Sequence, residues 1–145
     1  MNRIRIELPA NFNFTTKIPI RITDLNYGGH VGNDTVLSLI HEARAQFLQH
    51  HGYKELDFGG VGLIMSDAGI QYKNELFYGD VVIASVTTGA YSKVAFDIYY
   101  KFEKEAEGKL MLVAAAKTGM VCYDYSAKKT VSVPEEARIK LTKAQ

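Results

Sequence analysis

The segment DLNYGGHVGN, residues 24–33, places a carboxylate, an amide and an imidazole among three glycines, directly before an amphipathic helical pattern. Glycine lets the backbone approach a ligand closely, and the first N–H groups of a helix have no partners within it. Together with the positive end of the helix dipole, such donors suit a carbonyl oxygen that gains negative charge during a reaction. Clusters of Asp, Asn and Gly also form ordinary turns and helix caps, so this segment alone leaves both interpretations open.

The residues that follow predict one long helix, from Asp34 to His51. Its apolar residues recur at helical spacing and give it one apolar face. Asn33 or Asp34 is expected to cap the first turn, and Gly52 is expected to end the helix in a left-handed conformation. The apolar positions are Val36, Leu37, Ile40, Ala43, Phe47 and Leu48.

Most of the remaining chain predicts β-strands, because its apolar residues alternate or because it is rich in Val, Ile, Tyr, Phe and Thr. The short connections between these segments favour antiparallel pairing, and Pro134 begins a short C-terminal helix. The expected fold class is therefore α+β, with an antiparallel sheet of five or six strands wrapped around one long central helix. The predicted extended segments are 4–8, 18–22, 63–72, 81–90, 94–102 and 110–125.

The composition is that of one soluble globular domain over residues 1–145, with 47% hydrophobic and 23% charged residues. Because 17 basic residues nearly balance 16 acidic ones, no overall field would draw the protein to nucleic acid or to a membrane. We see neither a leader nor an apolar run of membrane length, and expect a cytoplasmic protein. The single cysteine, Cys122, excludes an internal disulfide, and its apolar surroundings favour a buried thiol.

Several short motifs occur in a fixed order around the predicted helix. They are Arg21-Ile22-Thr23-Asp24, Gly29-His30-Val31-Gly32-Asn33, Glu42-Ala43-Arg44, Ile70-Gln71-Tyr72-Lys73 and Tyr78-Gly79-Asp80-Val81. In that order they resemble the hot-dog fold acyl-CoA thioesterases of the 4-hydroxybenzoyl-CoA thioesterase-like family, and the resemblance covers most of the chain. It implies hydrolysis of an acyl-CoA or acyl-carrier thioester, with no cofactor beyond the coenzyme A of the substrate. The edge strands of an open sheet also favour a homodimer or a dimer of dimers.

The sequence departs from the family pattern at the position of the catalytic carboxylate. In the family this acid lies four residues before the histidine, and here that position is Asn26. Gly32 likewise stands where the family usually has an asparagine. An amide is no base near neutral pH, but it can hold a water or a carbonyl by hydrogen bonds. Asn26 is therefore a candidate catalytic residue of this kind, with an Asx turn as its alternative role.

His30 is the candidate acid or base, because imidazole groups exchange protons near neutral pH. The alternative is a histidine that only ties the loop to backbone carbonyls. Asp24, Asp67 and Glu42 are the carboxylates that could supply the missing base. Their alternatives are a loop cap for Asp24, a surface ion pair for Glu42 and a solvent-facing strand position for Asp67.

The backbone N–H groups of Gly29, His30 and Val31 are the expected oxyanion donors, and Asn33 is expected to bind substrate. The alternative is that these groups only close the turn.

Lys73 and Lys93, and with them Arg44, are candidates to meet the phosphates of coenzyme A, with solvated surface charge as the alternative. No metal site is predicted, because the remaining histidines are not paired at ligand spacing with cysteine or a second cluster. The remaining histidines are His41, His50 and His51.

Two other functions remain open at this point. A hydratase or dehydratase of the same fold class would carry a loop resembling Asp-x-Asn-Pro-x-His. This chain has Asp24-x-Asn26, but it lacks the proline and His30 lies one residue further along. The other candidate is an acyl-thioester binding protein whose chemistry was lost through Asn26.

Overall fold

The strands form one antiparallel sheet, in the spatial order β1-β3-β4-β5-β2 with β6 paired to β5. The computed structural model describes residues 2–143. It confirms the predicted α+β fold of five or six antiparallel strands and one long helix, with six strands in the described residues. A 3-10 turn over Ile22–Asp24 follows β1. The elements are β1 (Phe14–Pro19), α1 (Asn33–His50), β2 (Gly62–Tyr72), β3 (Val81–Gly89), β4 (Ala95–Ala106), β5 (Lys109–Asp124), β6 (Lys129–Thr130) and α2 (Glu135–Thr142).

The core lies between α1 and the inner face of the sheet. Ile40, Ala43 and Phe47 of α1 are fully buried. Residues of β4 alternate between buried and half-buried, as expected when only one face of a strand packs against a helix. The inward side chains of β4 are Phe96, Ile98, Tyr100 and Phe102. Burial of these aromatic and aliphatic groups is the main favourable term that holds the sheet around the helix.

The two ends of α1 differ in how well the sequence predicts them. Gly52 has a φ of +84°, and its N–H donates to the carbonyl of Gln49 while that of Tyr53 donates to the carbonyl of Leu48. This is the predicted left-handed helix end. At the start, the prediction of a cap by Asn33 or Asp34 is wrong. Gly32 is the N-cap, so no side-chain oxygen occupies the first N–H groups of α1.

The predicted strand at residues 4–8 is also wrong, because these residues lie outside the regular sheet. The N–H of Ile6 donates to Oε1 of Gln71 at 2.6 Å, and the side chains of Ile4 and Ile6 lie over Gly69 of β2. The segment therefore contacts the sheet through these side chains, with Ile4 still largely exposed, and does not join the hydrogen-bond ladder. Alternating apolar residues indicate that one side of a segment faces apolar surroundings. They do not show whether the segment pairs with a strand or only packs on the sheet.

The fold brings two loops together at one end of α1. These are the loop before the helix, residues 25–32, and the loop between β2 and β3, residues 73–80. The N–H of Val31 donates to the carbonyl of Leu76 at 2.9 Å, and Leu76 is itself buried. Within the first loop, the N–H of Asn26 donates to the carbonyl of His30 at 2.8 Å. Side chains from both loops therefore share one surface at the helix N-terminus.

Cys122 is fully buried in β5, which confirms the predicted structural thiol. Its burial raises the pKa of the thiol to about 11, so at neutral pH it is neither ionised nor accessible. The strands at the two edges of the sheet are β1 and β2. The oligomeric state that these edges suggest stays a prediction.

Candidate active site

A cleft of about 240 Å³ opens beside the N-terminus of α1. Its buried lining residues are apolar and its exposed ones are polar, as expected of a site for a small molecule. The rim carries an imidazole, a carboxylate, an ammonium group and a phenol. The lining residues are His30, Val31, Asn33, Val36, Tyr72, Lys73, Asn74, Glu75, Leu76, Val113 and Ala114.

Asn26 forms an Asx turn next to this cleft. Its Oδ1 accepts a hydrogen bond from the N–H of Gly28 at 2.8 Å, while no residue within 2–143 pairs with its Nδ2. A Cβ placed on Gly28 would lie 3.2 Å from Asn26 Oδ1 and 3.6 Å from the ring of His30. The bare glycine therefore lets the amide and the imidazole approach each other. The turn and the binding role, offered by the sequence as alternatives, are compatible in this geometry.

His30 is oriented by its own backbone neighbour. Its Nδ1 lies 3.1 Å from the carbonyl oxygen of Val31, and its Nε2 lies 4.0 Å from Oε1 of Glu75. A carbonyl oxygen only accepts, so in the neutral ring Nδ1 carries the proton and Nε2 keeps a free lone pair. The ring is about one-third exposed, at 34% of its side-chain surface. This tautomer leaves a proton acceptor at the cleft.

Two of the predicted oxyanion donors are already used. The N–H of Gly29 donates to the carbonyl of Asn26 at 3.1 Å, and that of Val31 donates to Leu76. The prediction that these two N–H groups face a substrate is therefore wrong, because both already donate to carbonyl oxygens of the protein. Within residues 2–143, the N–H groups of His30 and Asn33 have no acceptor, and Asn33 lines the cleft. The available donors are thus shifted toward the first turn of α1.

Asp24 is held away from the cleft by Arg21. Its carboxylate accepts hydrogen bonds from the backbone N–H of Arg21 at 2.8 Å and from the guanidinium at 3.2 Å. Burial alone would raise the pKa of Asp24, but the hydrogen bonds from Arg21 outweigh it and hold the pKa below its ordinary value. The geometry fits the loop-capping alternative for Asp24.

Asp67 and Glu42 also lie outside the cleft. Asp67 follows an irregularity in β2, and its Oδ1 accepts from the N–H of Gly119 at 2.9 Å and from Nζ of Lys117 at 3.1 Å. Its side chain is 63% exposed. Glu42 accepts from Nε2 of Gln46 on the surface of α1. The structure therefore does not bring these carboxylates to His30.

The candidate cations are dispersed. Lys73 lines the cleft, while Lys93 lies in the turn at the far end of β3. The nine residues of β3, at roughly 3.3 Å each, separate Lys93 from the loop of residues 73–80 by about 30 Å along the strand. Arg44 is buried, and its Nε donates to Oε1 of Glu55 at 2.6 Å, so its guanidinium is not available to bind a phosphate.

Across residues 2–143, no three His, Cys, Asp or Glu side chains are grouped to hold a metal ion.

Glu75 and Tyr72 are cleft residues that the sequence analysis missed. Tyr72 donates its hydroxyl to the carbonyl of Asn33 at 2.9 Å and so ties β2 to the start of α1. Glu75 faces His30. Tyr72 lies within the Ile70-Gln71-Tyr72-Lys73 motif and Glu75 follows it, so this motif was the one available signal that the end of β2 matters. The contacts of Tyr72 with Asn33 and of Glu75 with His30 depend on how β2 is placed in the sheet, and no local pattern encodes that placement.

Comparison with known proteins places this geometry in a family. Residues 20–141 match the model of the thioesterase-like superfamily. The chain is 33% identical over 122 residues to 1,4-dihydroxy-2-naphthoyl-CoA hydrolase from Microcystis aeruginosa, covering 82% of this chain and 86% of that protein.

Solved structures show the same fold. A 1,4-dihydroxy-2-naphthoyl-CoA thioesterase from Synechocystis aligns with a TM-score of 0.78 at 21% identity, over 88% of this chain and 94% of that one. The 4-hydroxybenzoyl CoA thioesterase from Pseudomonas sp. strain CBS-3 aligns with a TM-score of 0.78 at 15% identity, over 90% of this chain and 99% of that one. No helix within residues 2–143 is both long and apolar enough to span a bilayer.

The family match and the curated relative confirm the resemblance inferred from the sequence motifs: this chain belongs to the thioesterase-like superfamily of hot-dog fold proteins.

Proposed function

We propose that this protein hydrolyses an acyl-CoA thioester in the cleft at the N-terminus of α1. The observation that carries the proposal is that two residues line one cleft: Asn33, whose N–H has no acceptor within residues 2–143, and His30, whose Nε2 keeps a lone pair. Hydrolysis of a thioester needs a donor for the developing oxyanion and a base for the attacking water. This cleft offers one of each.

In the proposed reaction the carbonyl oxygen of the thioester accepts a hydrogen bond from the N–H of Asn33. The amide nitrogen of Asn26 supplies a second donor from the neighbouring loop. Both donors lie at the positive end of the α1 dipole, which stabilises the negative charge of the tetrahedral intermediate. His30 accepts the proton of water through Nε2 and later gives a proton to the leaving sulfur.

The substrate class we propose is an aromatic acyl-CoA. The curated relative is a 1,4-dihydroxy-2-naphthoyl-CoA hydrolase, and the cleft has an apolar floor made by Val36, Val113 and Ala114. Tyr72 and Asn74 stand at its rim, where they suit hydroxyl groups on an aromatic ring. Lys73 lies beside the cleft and suits a phosphate of coenzyme A.

The test is release of free coenzyme A from a panel of thioesters, followed with a thiol-trapping dye. The panel contains 1,4-dihydroxy-2-naphthoyl-CoA, 4-hydroxybenzoyl-CoA, benzoyl-CoA and aliphatic esters of short and long chain. We expect turnover with the aromatic esters to exceed that with the aliphatic ones. Preference for aliphatic esters would contradict the proposed substrate class.

Crotonyl-CoA separates the alternatives in the same experiment. Loss of its enoyl absorbance without thiol release would indicate a hydratase. Tight binding of acyl-CoA by calorimetry, with thiol release at the buffer rate for every ester, would indicate a binding protein and overturn the proposal.

A further inference from the structure

We infer that Glu75 supplies the carboxylate that is absent at position 26, and that Glu75 and His30 hold the attacking water between them. This inference rests on the proposed function. It assigns a further catalytic residue to the same cleft, in a loop that follows β2 and not in the loop that precedes α1.

The first argument is the spacing of two acceptors. Oε1 of Glu75 lies 4.0 Å from Nε2 of His30, which is too long for a direct hydrogen bond. A water that donates bonds of ~2.8 Å to two acceptors holds them about 4 to 4.5 Å apart. Nε2 is an acceptor because Nδ1 bears the ring proton toward Val31. A water can therefore donate to both groups and point an oxygen lone pair away from them.

The second argument is that Glu75 is anchored while its carboxylate is free. Its carbonyl oxygen accepts from Nζ of Lys104 at 2.7 Å, and the next residue, Leu76, is buried and binds the N–H of Val31. The backbone of Glu75 is thus fixed both to β4 and to the loop that carries His30. Within residues 2–143, no hydrogen bond satisfies its carboxylate, which is 62% exposed.

The third argument is elimination among the carboxylates. Of the residues that line the cleft, all within 2–143, Glu75 alone bears a carboxylate. Asp24, Glu42 and Asp67 each accept hydrogen bonds elsewhere. The other charged group on the cleft is Lys73.

In the inferred step, the water oxygen forms a bond to the thioester carbon as one of its protons passes to Nε2 of His30. Glu75 accepts the hydrogen bond of the other proton and stabilises the imidazolium that forms. The tetrahedral intermediate then collapses with cleavage of the C–S bond, and His30 returns the proton to sulfur. The products are the carboxylic acid and free coenzyme A, and no other reactant is consumed.

The experiment compares Glu75→Gln with wild type on the best aromatic ester of the panel. Glutamine keeps the size of the side chain but removes its charge, so kcat should fall by about 100-fold, in the range of general acid–base catalysis, while KM changes little. Glu105→Gln is the matched control, because Glu105 is an exposed carboxylate on β4 that does not line this cleft. Thermal unfolding of both variants should match that of wild type.

An active wild type whose rate Glu75→Gln leaves unchanged would overturn this inference alone. A wild type that releases no thiol would overturn the proposed function as well. A single turnover in ¹⁸O-labelled water provides a second readout: label in the Glu75 carboxylate would show that this side chain attacks the thioester directly and forms an anhydride, which contradicts the inference.

Discussion

The N–H of Gly28 donates to Oδ1 of Asn26 at 2.8 Å, which fixes the amide of Asn26 with its nitrogen on the opposite side. A Cβ on Gly32 would lie 3.8 Å from that nitrogen, so Nδ2 sits against the N-cap of α1. The side chain at the position of the usual catalytic carboxylate thus presents an amide N–H beside the start of α1. In the proposed reaction this amide binds the thioester oxygen and does not abstract a proton.

Asn26→Asp should therefore lower the rate of thiol release. A carboxylate still accepts from Gly28, so the turn is kept, but the Nδ2 donor is replaced by a negative oxygen that repels the oxyanion. We expect kcat to fall by about 10-fold or more, as for the loss of an oxyanion donor. Steady-state kinetics measure it, and unfolding curves control for stability. A large gain in kcat would show instead that position 26 needs an acid.

Asp24→Asn should weaken the fold at neutral pH and leave catalysis nearly intact. The variant loses a charged acceptor for Arg21, at a cost of about 1 to 2 kcal/mol in the free energy of unfolding. Because Asp24 lies outside the cleft, kcat should stay within a few-fold of wild type. A collapse of kcat in a folded variant would instead give Asp24 a catalytic role.

The interaction between Asp24 and Arg21 also predicts that the stability of the fold depends on pH. The pKa of Asp24 is lower in the folded state than its ordinary value of 3.8, so the stabilisation is present above that value. It is lost as the pH falls below 3.8 and through the lower folded pKa. The difference in stability between wild type and Asp24→Asn should accordingly shrink in acid, as denaturant titrations at pH 7 and below 3.8 can measure. A difference that persists unchanged in acid would rule out this pairing.

Arg44→Met should destabilise the protein by about 2 to 4 kcal/mol. The guanidinium donates to Glu55 at 2.6 Å and to the hydroxyl of Tyr100 at 3.3 Å, and Tyr100 in turn contacts Thr118. Methionine fills the volume but leaves Tyr100 and Glu55 without this donor. Glu55→Gln should cost less, because the glutamine oxygen can still accept the hydrogen bond from Nε of Arg44. Chemical denaturation distinguishes the two, and an Arg44→Met protein as stable as wild type would contradict the prediction.

Cys122 should not react with a thiol-trapping dye in the folded protein. The thiol is fully buried and its raised pKa keeps it protonated at neutral pH. One equivalent should react after unfolding in guanidinium chloride. Rapid labelling of the native protein would show that β5 opens readily, and would require correction of the thioesterase assay.

Local patterns predicted most of the fold. The period of the apolar residues in α1 and the left-handed turn at Gly52 depend only on neighbouring residues, and the structure confirms both. The prediction of a strand at residues 4–8 was wrong, because an alternating pattern does not distinguish a strand from a segment whose isoleucines contact Gly69. The prediction of a cap at Asn33 or Asp34 was wrong, because Gly32 has the extended backbone of the N-cap residue.

The site was less predictable, because it depends on contacts between distant segments. His30 was identified from its type and its motif, and it lies on the cleft. The hydrogen bond from Val31 to Leu76, which removes a predicted donor, joins two loops whose pairing no local pattern shows. The approach of Glu75 to His30 results from the same pairing. Sequence patterns therefore found the loop before α1 and Lys73 of the loop opposite it, and the structure was needed to show that the two loops meet.

The central claim is that His30 moves the proton during thioester hydrolysis at the start of α1. The most direct measurement is kcat/KM of wild type and His30→Gln on the aromatic ester that wild type hydrolyses fastest. Glutamine retains a polar side chain but cannot accept and return a proton, so kcat/KM should fall on the order of 100-fold or more, in a variant that unfolds at the wild-type temperature. A folded His30→Gln protein that hydrolyses the ester at the wild-type rate would contradict the account.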